Sequence, residues 1–183
     1  MPSLAKLMVF ILVFLSGLVL GSFLLPAKPP AEIGENQVIP LNDREYFSTL
    51  KNLIDSANSS VHILMYNVNY YPSYPDSPSN LLIHALGNAS ERGVGVKIIT
   101  DETPTEKPVL GILRERGVDI KFDSKDVTTH AKLIIIDSKI VIIGSTNWSY
   151  YSIDKNHEAN VLINSESLAK EFEGYFGRIW VES

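Results

Sequence analysis

Between His130 and Asn147 the chain runs HAKLIIIDSKIVIIGSTN. Two short β-branched runs, 133–136 and 140–143, flank the polar triplet Asp137-Ser138-Lys139. Runs of that length and branching suit buried strands, and the polar break suits a tight turn, so the stretch predicts a hairpin. With Asp137-Ser138 as a two-residue loop, Ile136 faces Lys139, Lys132 faces Ile143 and His130 faces Ser145. Opposed residues share a face and side chains alternate along each strand. His130, Lys132, Ser145 and Asn147 then converge on one face. A three-residue loop would reverse the parity and turn Ser145 away. Asp137 falls in the turn, roughly 17 Å along the strand from Lys132 at about 3.4 Å per residue. Its expected work there is to stabilise the turn.

A face carrying imidazole, ammonium, hydroxyl and amide suits an oxyanion. Lysine supplies charge, serine and asparagine supply directed donors, and histidine attacks or moves protons. Phosphate is the expected guest. A lone His-x-Lys is weak, but the full spacing H-x-K-x4-D-x6-G-S-x-N is restrictive. On His130, Lys132, Asp137, Gly144, Ser145 and Asn147 the chain resembles the phospholipase D superfamily, whose signature is H-x-K-x4-D followed by Gly-Ser and an asparagine. The resemblance implies a catalytic role for His130, Lys132 and Asp137, and phosphate binding by Lys132, Ser145 and Asn147.

The chain has 183 residues and 45% hydrophobic composition, room for one domain of about 150 residues beside a distinct N-terminus. Residues 7–25 are 19 positions without a charge, enough to span roughly 28 Å as a helix. We read residues 1–26 as an N-terminal transmembrane anchor or signal segment. The uninterrupted apolar length and the lack of a clear small-residue cleavage site before Pro26 favour an uncleaved anchor. Lys6 and Lys28 flank the run evenly, so the amino terminus alone tips the catalytic domain outside the cytoplasm. Cleavage would make the protein secreted. Residues 27–41, rich in proline, read as a linker, and 42–183 as the catalytic domain. The chain has no cysteine, which excludes disulfides and thiolate ligands. Net charge is −5, so the basic footprint usual in nucleic-acid binders is missing.

Further along, helices are expected from Asn42 or Asp43 to Ala57, over 79–92, 107–116 and 165–181. Strands are expected over 61–70, 96–101, 119–123 and 158–163, besides the hairpin. Gly93, Gly117 and Ser165 serve as helix stops and cap. The alternation predicts an α/β fold, a mixed sheet of about six strands with helices on both faces. Tyr70, Tyr71 and Tyr74 crowd a proline-rich loop that either offers stacking faces to bases or is half-buried cover. Trp148, Tyr150 and Tyr151, in a loop over 148–156, pose the same choice.

The superfamily's chemistry, as the resemblance implies it, uses two facing motifs. One histidine attacks phosphorus and forms a phosphohistidine; the other protonates the leaving oxygen and then activates water. This chain has one copy, since none of His62, His84 and His157 is followed two residues later by lysine. The resemblance therefore implies a homodimer that brings two copies of His130 to one site. Glu158 stands where the small nucleases of the superfamily carry a glutamate that hydrogen-bonds the histidine; the alternative is a solvated strand-end carboxylate. No metal or other cofactor is expected. Three readings follow: an endonuclease acting on DNA or RNA, a membrane phospholipid phosphodiesterase of cardiolipin type, or an inactive phosphate-binding scaffold. The last predicts a substituted His130 or Lys132, and both are intact. Glycosylation sequons at Asn58, Asn88 and Asn147 complete the motifs. A glycan on Asn147 would block the expected site.

Overall fold

In a computed structural model of the chain, residues 33–101, 108–123 and 126–183 are described. The 130–147 stretch forms two strands at the middle of a seven-stranded mixed sheet, β5 (Lys132–Ile136) and β6 (Ile140–Gly144). The others are β1 (Val38–Asn42), β2 (Ser60–Met65), β3 (Gly95–Thr100), β4 (Asp119–Phe122) and β7 (Ala159–Asn164). Their order across the sheet is β1-β7-β6-β5-β2-β3-β4. β2, β3 and β4 run parallel, and the remaining neighbours are antiparallel.

Among the described residues five helices flank the sheet: α1 (Glu45–Ser56), α2 (Pro78–Glu91), α3 (Pro108–Glu115), α4 (Tyr150–Asp154) and α5 (Glu166–Glu182). Every residue of β5 is buried, and its side chains feed two cores by turns. Ile134 and Ile136 pack with Leu50, Ile54, Leu82, Leu86 and Leu113 under the first helices. Leu133 and Ile135 pack with Ala169 and Phe176 of α5 on the other face. Burial on both faces is why the sequence shows an unbroken aliphatic run and no alternation. The three-layer single domain agrees with the expected class, with one strand more.

That strand is β1, which corrects the linker boundary. Residues 38–41 pair antiparallel with β7, and the compact unit begins at Ile33. Pro40 is tolerated because β1 is an edge, where the missing N–H breaks no ladder. Asp43, expected to cap α1, has φ +47 and instead reaches forward to Glu158. Ser77 caps α2, Ser165 caps α5, and Gly93 and Gly117 take the left-handed backbone after α2 and α3. Residues 150–154, expected as loop, form the short α4 with Ser149 as its cap. Among the described residues no helix is long and apolar enough to cross a membrane; the apolar run 7–25 lies outside them.

Candidate active site

The Asp137-Ser138 turn forms with both φ values positive, +52 and +50, and Lys139 N donates to Ile136 O at 3.0 Å. The register nevertheless differs from the one expected. Ile136 faces Ile140 and Leu133 faces Ile143, so Lys139 is an extra residue on the second strand, as in a bulge. Continuing the register, Lys132 faces Gly144 and not Ile143. Gly144 is required there. A Cβ would overlap the Asn160 side chain and the Ala159 carbonyl. Past Gly144 the ladder gives way to side chains: Ser145 N donates to Ala159 O, while Ala159 N donates to Ser145 Oγ.

His130 lies just before β5, exposed, with its ring 4.8 Å from that of Tyr66. Lys132 is only 9% exposed. Its Nζ donates to His130 O at 2.8 Å, stands 3.3 Å from His130 Nε2, and sits 5.2 Å over the Tyr66 ring. An ammonium has only hydrogens to offer. The contact fits the ring tautomer in which Nε2 accepts from the ammonium, the form needed for attack on phosphorus. Burial lowers the Lys132 pKa below its ordinary value, and the nearby Glu158 carboxylate opposes that shift.

Glu158 is held by two neighbours: Ser145 Oγ donates to its Oε2, and Asn156 Nδ2 donates to Oε1 at 3.1 Å. Its backbone is pinned in turn, because Glu158 N donates to Asp43 Oδ1 at 2.8 Å and Asp43 N to Glu158 O at 2.9 Å. Among the described residues it makes no hydrogen bond to His130. The structure thus gathers His130 with Lys132, and Ser145 with Glu158, the two pairs meeting through the Lys132–Glu158 attraction. Direct convergence of His130 and Ser145 on one strand face is not what forms, because the extra Lys139 shifts the register. Asn147 is half-buried, and its Oδ1 is fully enclosed without a hydrogen-bond partner. A buried acceptor left so is costly in isolation.

Asp137 is far from this group and does the structural work expected of a turn residue. Its carboxylate accepts from the backbone N–H groups of Asn58, Ser59 and Ser60, the Ser59 contact at 2.7 Å, and from Ser59 Oγ at 2.9 Å. Burial alone would raise its pKa, but these donors outweigh it and hold the carboxyl below its ordinary value. A carboxylate depressed in the folded state stabilises above the unfolded pKa and loses that contribution as pH falls through the folded one. Asp137→Asn should therefore cost about 1.5–3 kcal/mol at neutral pH and flatten the acid limb of the stability curve below about pH 4. Denaturation followed across pH checks this; equal acid limbs for both proteins would contradict it.

Two residues that the sequence did not single out complete the geometry. Tyr66 supplies the aromatic floor under His130 and Lys132. Asn160, 4% exposed, accepts from Thr146 N at 3.2 Å and donates to Thr146 Oγ1 at 2.8 Å, shaping the backbone between Ser145 and Asn147. For Trp148, left open between stacking face and buried cover, the structure decides for the core: it is fully buried, and its indole N–H donates to Tyr46 Oη at 3.0 Å. Among the described residues, no three His, Asp or Glu lie together as a metal-binding group.

A family profile described as "Cardiolipin synthase, PLD-like domain" matches residues 50–180. The chain belongs to the phospholipase D-like family. Curated relatives that it matches carry the names cardiolipin hydrolase and phospholipase D. It is 28% identical over 159 residues to the mitochondrial cardiolipin hydrolase of Mus musculus, covering 86% of this chain and 67% of that one. It is 35% identical over 112 residues to a phospholipase D of Rickettsia typhi, covering 60% of this chain and 54% of the relative. The chain thus spans only part of the curated relatives it matches. Among solved structures, the phospholipase D family member Nuc from Salmonella typhimurium superposes with a TM-score of 0.69 at 28% identity, over 81% of this chain and 96% of that one. NucT from Helicobacter pylori, at 21% identity and a TM-score of 0.66, shares the fold.

Proposed function

We propose that the protein is a metal-independent phosphodiesterase that works as a homodimer through a phosphohistidine, with nucleic acid as its substrate. The observation that carries this is the His130–Lys132 pair at the start of β5: an exposed imidazole whose Nε2 stands 3.3 Å from the Nζ of a buried lysine. A phosphoryl oxygen drawn to Lys132 Nζ brings phosphorus within reach of Nε2. Attack forms the N–P bond and breaks the P–O bond, and the second copy of His130 gives its proton to the leaving oxygen. That second imidazole, now neutral, takes a proton from water. The hydroxide displaces His130 from phosphorus and restores both rings.

Lys132 offsets the charge that develops on the phosphoryl oxygens, with Asn147 as a further donor in each half-site; the Ser145 hydroxyl joins them only when its proton turns from Glu158 to the phosphate. Glu158 acts by holding Ser145 and by its field on Lys132. Asp137 keeps the hairpin closed. One motif per chain supports the two-fold arrangement, since a single copy supplies one imidazole where the double displacement uses two.

Nucleic acid is favoured by the resemblance of residues 42–181 to the small single-motif endonucleases of the superfamily. A second reading, hydrolysis of a cardiolipin-type phospholipid, draws on the curated relatives named for that activity and on the apolar run 7–25. That run we take as a membrane anchor, with the catalytic domain outside the cytoplasm. The purified protein offered single strand, duplex and cardiolipin vesicles in parallel separates the two. A nuclease holding Z phosphates of a single strand should bind it with a log–log salt slope of about −0.7Z. Lipid turnover without cleavage of either nucleic acid would move the substrate to phospholipid.

A further inference from the structure

Past β2 and past β6 the chain continues into two segments that the phosphate chemistry leaves unused, and together they enclose a cavity. It measures about 620 Å³ and is lined by Tyr71, Tyr74, Pro75, Asp76, Tyr150 and Tyr151 among others. The cavity is a built feature of the fold. Asn80, fully buried, accepts from Tyr71 N at 2.9 Å and donates to the carbonyls of Tyr71 at 2.9 Å and Tyr74 at 3.0 Å. Tyr71 Oη accepts from Tyr150 N at 3.0 Å and from Asn69 Nδ2 at 3.2 Å, tying the loop to the start of α4. The rim is different. Tyr74 is 70% and Tyr151 68% exposed, so the core draws little from either ring.

We propose that this cavity binds an unpaired nucleobase of a single-stranded substrate whose backbone lies at His130. The proposal rests on the nucleic-acid reading above and adds a second subsite to it. Position, shape and charge carry it. Tyr150 follows Asn147 by three residues, at most about 11 Å of chain, and Tyr71 follows Tyr66 by five. Both segments leave the sheet at the end where His130 enters β5, so a strand with a phosphate there can run on toward the cavity. The walls are aromatic, with Tyr150 and Tyr151 set edge to face at 5.5 Å, which leaves ring faces for a flat guest. Among the six residues named, the one formal charge is the Asp76 carboxylate. It repels a phosphate and accepts hydrogen bonds from base amino groups. Lys155, 5.2 Å over the Tyr150 ring, brings a cation to the outside of the same wall.

Duplex bases are already stacked on one another, so a site of this kind prefers single strands or unpaired ends. Alanine substitution at a stacking ring costs about 1–3 kcal/mol per base, a factor of roughly 5 to 150 in affinity.

The test uses the full chain carrying His130→Ala, so that binding is read without turnover. Two octanucleotides of equal charge are compared by fluorescence anisotropy, one with all its bases and one with a run of abasic sites. The base-bearing strand should bind at least about tenfold tighter. Tyr74→Ala with Tyr151→Ala should remove that difference, while Tyr74→Phe with Tyr151→Phe should keep it, with melting temperatures unchanged in both. Equal binding of the two strands, or a difference that survives the alanine pair, overturns the base subsite. Cardiolipin hydrolysis by the protein with His130 intact, lost in the alanine pair while strand binding is unaffected, overturns it in favour of a lipid. Strand cleavage with no dependence on bases removes this proposal alone. Base-dependent binding without any cleavage removes only the nuclease reading.

Discussion

His130→Ala should lower kcat on the order of 10⁴-fold or more, because it removes the nucleophile and, in a two-fold dimer, the proton donor with it. Folding should be untouched. His130 is exposed, and its contacts are with Lys132 and Tyr66, neither of which needs the imidazole to stay in place. The shared site makes a sharper demand. When unsubstituted and His130→Ala chains are mixed and re-equilibrated, a dimer with one alanine has no complete pair of imidazoles. Activity should then fall as the square of the unsubstituted fraction. A linear decline would show that each chain works alone and would remove the dimer from the mechanism.

Lys132→Met should cost about 3–4 kcal/mol of transition-state stabilisation, or two to three orders of magnitude in kcat/KM, by comparison with loss of an oxyanion donor. Methionine keeps the apolar stem that lies among buried neighbours while deleting the charge. Melting should change little, since burial already disfavours the ammonium. The loss should appear in kcat as well as KM, because charge builds on the phosphoryl oxygens only as the new bond forms. A rise in KM alone would make Lys132 a binding residue and no more.

Much of this was legible in the chain, for identifiable reasons. The hairpin between His130 and Asn147 could be read because two β-branched runs around a polar triplet mark strands and a tight turn, whereas the expected convergence of His130 and Ser145 on one face failed with the register. The cap at Ser165 and the stops at Gly93 and Gly117 follow from local backbone chemistry; the second helix begins a residue earlier than expected, with Ser77 as its cap. β1 was hidden because it is an edge strand containing Pro40 behind a proline-rich stretch, and its pairing partner lies 120 residues away in β7. The one-residue shift between β5 and β6 has no local signal: Lys139 is a plausible strand residue, and only the neighbouring strands decide that it is extra. Tyr66 and Asn160 acquire their roles through strand pairing, Tyr66 just past the β2–β5 ladder, where its N–H donates to Ala131 O at 3.1 Å, and Asn160 in the β6–β7 ladder. Trp148 was ambiguous because an indole serves a core and a binding surface equally well; Tyr46, placed by α1, decides it.

A labelled single strand is incubated with the protein in excess EDTA, beside the His130→Ala variant. Cleavage that is undiminished by the chelator and absent from the variant is the predicted result. Cleavage that disappears with EDTA, or that persists without His130, would contradict a metal-independent attack by this histidine.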